Sequence, residues 1–212
     1  MSISSLSLES FNDRLAARTP TPAGGSAAAV VGSQAAALVS LVIRFTLGKP
    51  DFAGVAPELE RSLAQSEALR RRLLALADED AAAFEGVIAA YAMAKEPPEA
   101  KAARSAAIQT ALKGATITPF TTAEQCLAVM QLIGPVVEVA NPTVAGDGVT
   151  ALLLVNGALG SSLANVRVNL RAIRDQAFVE EWAAKADKLT DAVSAAYVAA
   201  QLACEAALGT SL

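Results

Sequence analysis

An all-α fold follows from three features of the sequence. Alanine leads the composition and aromatic residues make up only 4%, which favours helices over strands. Apolar residues recur at helical spacing through most of the chain. Proline and glycine cluster at only a few points, and the breaks they make leave six or seven helical segments. With 212 residues the expected architecture is one compact bundle of six or seven helices, a single helical domain over 1–212.

Residues 4 to 17 start with serines that can cap, then place Leu6, Leu8, Phe11 and Leu15 on roughly one face of a short amphipathic helix. Next comes Thr19-Pro20-Thr21-Pro22-Ala23-Gly24-Gly25-Ser26. Its prolines enforce an extended approach and its glycines open a helix start with free N–H groups, which either punctuates a loop or faces an anion. A helix of small residues follows to about Leu47-Gly48, where Lys49-Pro50 makes a turn.

From Pro57 to about Met93 a helical stripe of Leu59, Leu63, Leu69, Leu73, Leu76, Phe84, Val87 and Tyr91 is expected to pack. It carries Asp78-Glu79-Asp80; consecutive helical residues point about 100° apart, so the three cannot share a face. Pro97-Pro98 starts a helix to about Lys113, and Pro119 and Pro135 kink or bend the next. Asn141 to Gly148 is a second irregular loop, in which Asp147 is either a helix cap or a loop-borne acid or base. An apolar helix covers Val149 to Leu163, a polar stretch runs from Asn165 to Asp175, and a last helix spans about Gln176 to Leu208.

The net charge of −4 and pI near 5.0 supply no basic footprint for nucleic acid or an anionic membrane. The mean hydropathy of +0.41 raises the possibility of a membrane span at residues 26–43. That run is rich in Ala, Gly and Ser, holds Ser33, Gln34 and Ser40 and lacks an aromatic belt, so it reads as a buried helix shared with a second subunit. Cys126 and Cys204 form no metal pattern and read as reduced packing residues. Met1-Ser2-Ile3-Ser4-Ser5 has neither a basic nor an apolar leader region, and the expected compartment is the cytoplasm.

The chain contains no histidine. Ser-His-Asp and Cys-His nucleophile systems, His-based metal sites and imidazole acid/base chemistry are thereby excluded. No P-loop or dinucleotide fingerprint is present. Catalysis would fall to carboxylates, lysines, thiols, hydroxyls or backbone, and carboxylate proton transfer suits an already activated carbon such as an iminium.

Five segments in collinear order carry a resemblance: Thr21 to Ser26 with its helix and Leu47-Gly48-Lys49; Asp80-Ala81-Ala82-Ala83-Phe84; Asn141 to Asp147; Asn165-Val166-Arg167-Val168-Asn169-Leu170; and Ile173-Arg174-Asp175. Together they resemble the cyclodeaminase/cyclohydrolase family, which forms or opens the methenyltetrahydrofolate ring. The resemblance implies an all-helical homodimer that binds a reduced folate, with no metal or nicotinamide cofactor. It implies catalytic roles for Asp80, Asp147 and Asp175, and substrate contacts from Pro22, Gly24, Gly25, Ser26, Lys49, Asn141, Asn165 and Asn169. The sequence departs from the family pattern at Ala23, Pro50, Thr143 and Gly146. Two alternatives accompany this reading: a family member turning over a non-folate substrate in secondary metabolism, and a non-catalytic small-molecule binder.

Overall fold

A computed structural model describes residues 2–212. Six α-helices and three short 3₁₀ turns account for nearly all of them, and no strand occurs among the described residues. The helices are α1 (Leu8–Ala16), α2 (Gly24–Arg44), α3 (Ala56–Ala92), α4 (Pro98–Val139), α5 (Ala145–Leu170) and α6 (Gln176–Leu208). Ser7 caps α1 by accepting from Ser10 N, and Gly48 leaves α2 at φ +81°, a conformation that glycine tolerates best.

The 42 residues of α4 form one helix with Pro119 and Pro135 inside it, where the sequence suggested separate segments. Packing on both faces outweighs the two lost backbone hydrogen bonds: Pro119, Phe120, Ile133 and Val136 are all buried. Helix α5 starts at Ala145 and continues to Leu170, absorbing the polar stretch after Leu163.

Helix α2 is the centre of the bundle and packs on α3, α5 and α4; α6 closes the far side against α4 and α5. Small residues allow this. Ala29, Ala35 and Ala36 are fully buried beside Val39, Val42 and Ile43, so the neighbouring backbones approach closely. Serines at 26, 33 and 40 recur every seven residues along the α3 seam. Ser26 Oγ donates to Ala77 O, Ser33 Oγ donates to Arg70 O, and Ser40 pairs with Ser66, whose hydroxyl also reaches Ala36 O. The falling partner numbers show that α2 and α3 run antiparallel. Each buried hydroxyl is satisfied, a net stabilisation of about 1 kcal/mol per bond.

Three helical stretches, Gly24–Arg44, Pro98–Val139 and Pro142–Leu170, are long and apolar enough to cross a membrane by length and composition. In this fold they supply much of the hydrophobic core. Where α6 meets α4, Trp182 stacks on Phe178 with centroids 5.4 Å apart and takes the edge of Phe120 at 5.2 Å.

Candidate active site

The Asp78-Glu79-Asp80 cluster divides three ways. Asp78 accepts from Ser2 Oγ and Ile3 N, Glu79 pairs with Arg72 on the surface, and Asp80 turns inward against α2. Asp80 reaches the first turn of α2 because residue 25 is glycine: a Cβ there would lie 2.6 Å from Asp80 Cγ. The N-cap of α2, Ala23, offers no side-chain oxygen, so the carboxyl of Asp80 covers that helix end from a neighbouring helix.

Ser26 Oγ lies 2.9 Å from Asp80 Oδ2 and 3.0 Å from Ala77 O. One hydroxyl proton therefore faces two acceptors. Burial pushes the Asp80 carboxyl above the usual carboxylate range, against the opposing pull of the Ser26 hydroxyl and main-chain N–H.

A cavity of about 220 Å³ opens on Asp80, lined by Thr21, Ala23, Gly25, Phe84, Ala115, Asn165, Val168 and Asn169. The two asparagines are oriented by their amide groups. Asn165 Nδ2 donates to Ser161 O at 2.9 Å and Asn169 Nδ2 donates to Ala115 O at 2.7 Å. Their Oδ1 atoms have no partner among the described residues and are not sealed from solvent. The polar wall thus consists mainly of hydrogen-bond acceptors around one carboxyl, and no Lys or Arg lines it. Such a wall suits a cationic or N–H-bearing group.

A sequence model described as formiminotransferase-cyclodeaminase matches residues 7–188. The chain belongs to the formiminotransferase-cyclodeaminase family. It is 42% identical over 174 residues to a methenyltetrahydrofolate cyclohydrolase of Methylorubrum extorquens, covering 82% of this chain and 84% of that protein. It is 31% identical to the formimidoyltransferase-cyclodeaminase of Rattus norvegicus, but spans only 32% of that longer protein. The crystal structure of formiminotetrahydrofolate cyclodeaminase from Thermotoga maritima superposes with a TM-score of 0.87 at 29% identity, covering 96% of this chain and 98% of that one.

The residues that family resemblance singles out fall at two ends of the bundle. Gly25, Asp80, Asn165 and Asn169 meet at the cavity, and Gly24 borders Asn165. Ser26 is 0% exposed; it holds Asp80 from behind and does not face the cavity. Pro22 lines a neighbouring polar cleft with Arg14, Asp78 and Glu85. Asp175 is exposed, caps α6 by accepting from Phe178 N at 3.2 Å, and pairs with Lys113 Nζ at 2.6 Å. Lys113 holds its carboxyl below the usual range, so its visible role is to cap and tether α6.

Asn141, Lys49 and Asp147 occupy the opposite end. The Asn141 backbone N–H donates to Thr46 Oγ1, and its Nδ2 donates to Phe45 O. Asp147 stands in the first turn of α5 without capping it; the N-cap is Val144. Eighteen residues of helix, about 27 Å, separate Asp147 from Asn165. Phe84, expected in the packing stripe, is 42% exposed at the cavity rim. Ala115 and Val168 were not among the residues singled out; the available signal for Ala115 was Pro119, four positions on in the same helix.

Proposed function

We propose that this chain is a methenyltetrahydrofolate cyclohydrolase, and the observation that carries the reading is the half-buried Asp80 carboxyl in a largely apolar cavity whose other polar groups include the side-chain oxygens of Asn165 and Asn169. The methenyl carbon is an amidinium-like cation, and Asp80 with the oxygens of Asn165 and Asn169 would stabilise it. A carboxyl raised above its usual range by burial is a better proton acceptor than an ordinary carboxylate.

In the proposed reaction, water adds to the methenyl carbon while ionised Asp80 takes one water proton. The C–O bond forms and the C=N⁺ bond becomes single. Asp80 then returns that proton to the departing ring nitrogen as the C–N bond breaks. The remaining hydroxyl proton leaves to solvent and the carbon becomes a formyl group. Water is the only co-reactant, so the proposal needs no cofactor.

We further propose that the enzyme is a homodimer built on α2 and α5. These helices lie antiparallel, since Gly24 borders Asn165 while Phe45 contacts Asn141. Each leaves apolar side chains in solvent: Phe45 is 56% exposed, Leu153 53% and Val168 61%. A two-fold axis perpendicular to these helices and within the interface would set the Asp147 and Lys49 end of the partner beside the Asp80 cavity. Lys49 of the partner would then be placed to meet the carboxylates of a folate tail.

The deciding experiment follows the absorbance of methenyltetrahydrofolate with the purified protein. Enzyme-dependent loss of the signal supports the proposal. A rate no greater than buffer rejects it and leaves a non-folate substrate or a binder; release of ammonia from formiminotetrahydrofolate instead would assign the cyclodeaminase reaction.

A further inference from the structure

Pro119 lies inside α4 and has no N–H to give. In an α-helix that N–H would bond the carbonyl four residues back, so Ala115 O has no helical donor at this position. The vacant carbonyl instead accepts Asn169 Nδ2 from α5, at 2.7 Å. Ala115 and Asn169 both line the Asp80 cavity, while Pro119 itself is buried behind it.

We propose that Pro119 is a positioning residue of the ligand site: by withholding its N–H it leaves the Ala115 carbonyl undivided to Asn169, which strengthens that bond and holds the Asn169 amide with Oδ1 available to a ligand. An unlocked asparagine can exchange its donor and acceptor ends by rotation; a locked one, with one Nδ2 N–H given to a carbonyl, holds Oδ1 in a fixed place. The site thereby selects ligands that present an N–H or a positively charged carbon at that wall. The second proline of α4 provides an internal comparison. Pro135 frees the Gln131 carbonyl in the same way, yet none of the described side chains donates to it. A missing helix donor therefore becomes useful only where another helix supplies a side chain to fill it.

The inference rests on the cavity being the substrate site, and the test separates the two. Pro119→Ala restores the N–H. Lactic acid incorporated at position 119 keeps the alanine methyl but replaces the amide by an ester, so the N–H is again missing. With methenyltetrahydrofolate as the probe, Pro119→Ala is expected to raise KM about ten-fold, the loss of one hydrogen bond, with kcat little changed. The ester variant is expected to keep the wild-type KM.

Pro119→Ala restores a backbone hydrogen bond but deletes buried ring atoms, so it is expected to keep a cooperative thermal transition close to that of the wild type, which distinguishes loss of positioning from loss of fold. Hydrogen exchange at the Asn169 side-chain amide needs no substrate: it should be slow in the wild type and the ester variant and faster in Pro119→Ala. An unchanged KM in Pro119→Ala, an ester variant as impaired as the alanine one, or equal Asn169 exchange in all three would overturn the proposal. If no folate is turned over, amide exchange alone decides it, and only the cyclohydrolase reading falls.

Discussion

Gly25 and Asp80 compete for the same space, and the glycine yields it. The carboxyl sits where a side chain at 25 would begin, with the virtual Cβ 2.6 Å from Asp80 Cγ. A helix on one side of the seam therefore gives up its side chain so that an acid from the other can reach its end.

Gly25→Ala should displace that acid. Overpacking is expected to cost about 1–3 kcal/mol, partly offset by up to about 1 kcal/mol of helix propensity, so the protein should still fold. A shift of the carboxyl by an ångström is expected to lower kcat by about 100-fold. Urea unfolding and turnover measured on the same sample check both parts; unchanged turnover would show that the placement of Asp80 is immaterial.

Asp80→Asn should abolish turnover while raising stability at neutral pH. The folded carboxyl has its pKa raised by burial, so the folded state holds the proton at pH values where the unfolded chain has released it. Stability contributed by protonated Asp80 is thus present below the ordinary carboxylate pKa and is lost as pH rises toward the folded value. The asparagine variant should lack this decline, as thermal melts recorded between pH 4 and 8 would reveal.

Mixing subunits tests the two-ended arrangement. Asp80→Asn and Asp147→Asn homodimers should each be inactive. Refolded together, they should regain about a quarter of wild-type activity, because half the dimers are mixed and each of these has one intact composite site. Absence of recovery, with mixed dimers verified by mass spectrometry, would place each site within one chain.

Much of the fold was legible because helical periodicity and Pro/Gly punctuation are local properties. The extent of α3 and the limits of α6 follow from them. The continuity of α4 through Pro119 and Pro135 was not, since it depends on burial against α2, α3, α5 and α6. At the site, Asp80, Asn165 and Asn169 could be singled out, but the separation of Asp147, Asn141 and Lys49 from them could not. The length of α5 separates Asp147 from Asn165, and the antiparallel course of α2 and α5 brings Lys49 to the Asp147 end and Gly25 to the Asn165 end; no short motif encodes how two helices are paired. The part played by Ala115 is likewise invisible to side-chain reasoning, because it acts through its carbonyl.

Glu67 governs acid stability far from the cavity. The Arg70 guanidinium, bonded at 2.9 Å, with Arg44 nearby, lowers its pKa from 4.5 to about 2. This contribution is present above pH 4.5 and is lost as pH falls toward 2. Because the arginines are partly solvated, Glu67→Gln is expected to cost only about 1 kcal/mol at pH 7. Its unfolding midpoint should also fall less steeply on acidification, which urea titrations at stepped pH would resolve.

The aromatic cluster between α4 and α6 gives the molecule a private optical channel. Trp182 is the only tryptophan in the sequence. It touches Phe120, the residue after Pro119, and Phe178, whose N–H is held by Asp175, while the Lys185 ammonium lies 4.3 Å above its ring. Ultraviolet emission from this protein consequently reports one junction, the one that joins the proline of α4 to the cap of α6, with no second indole to blur the signal.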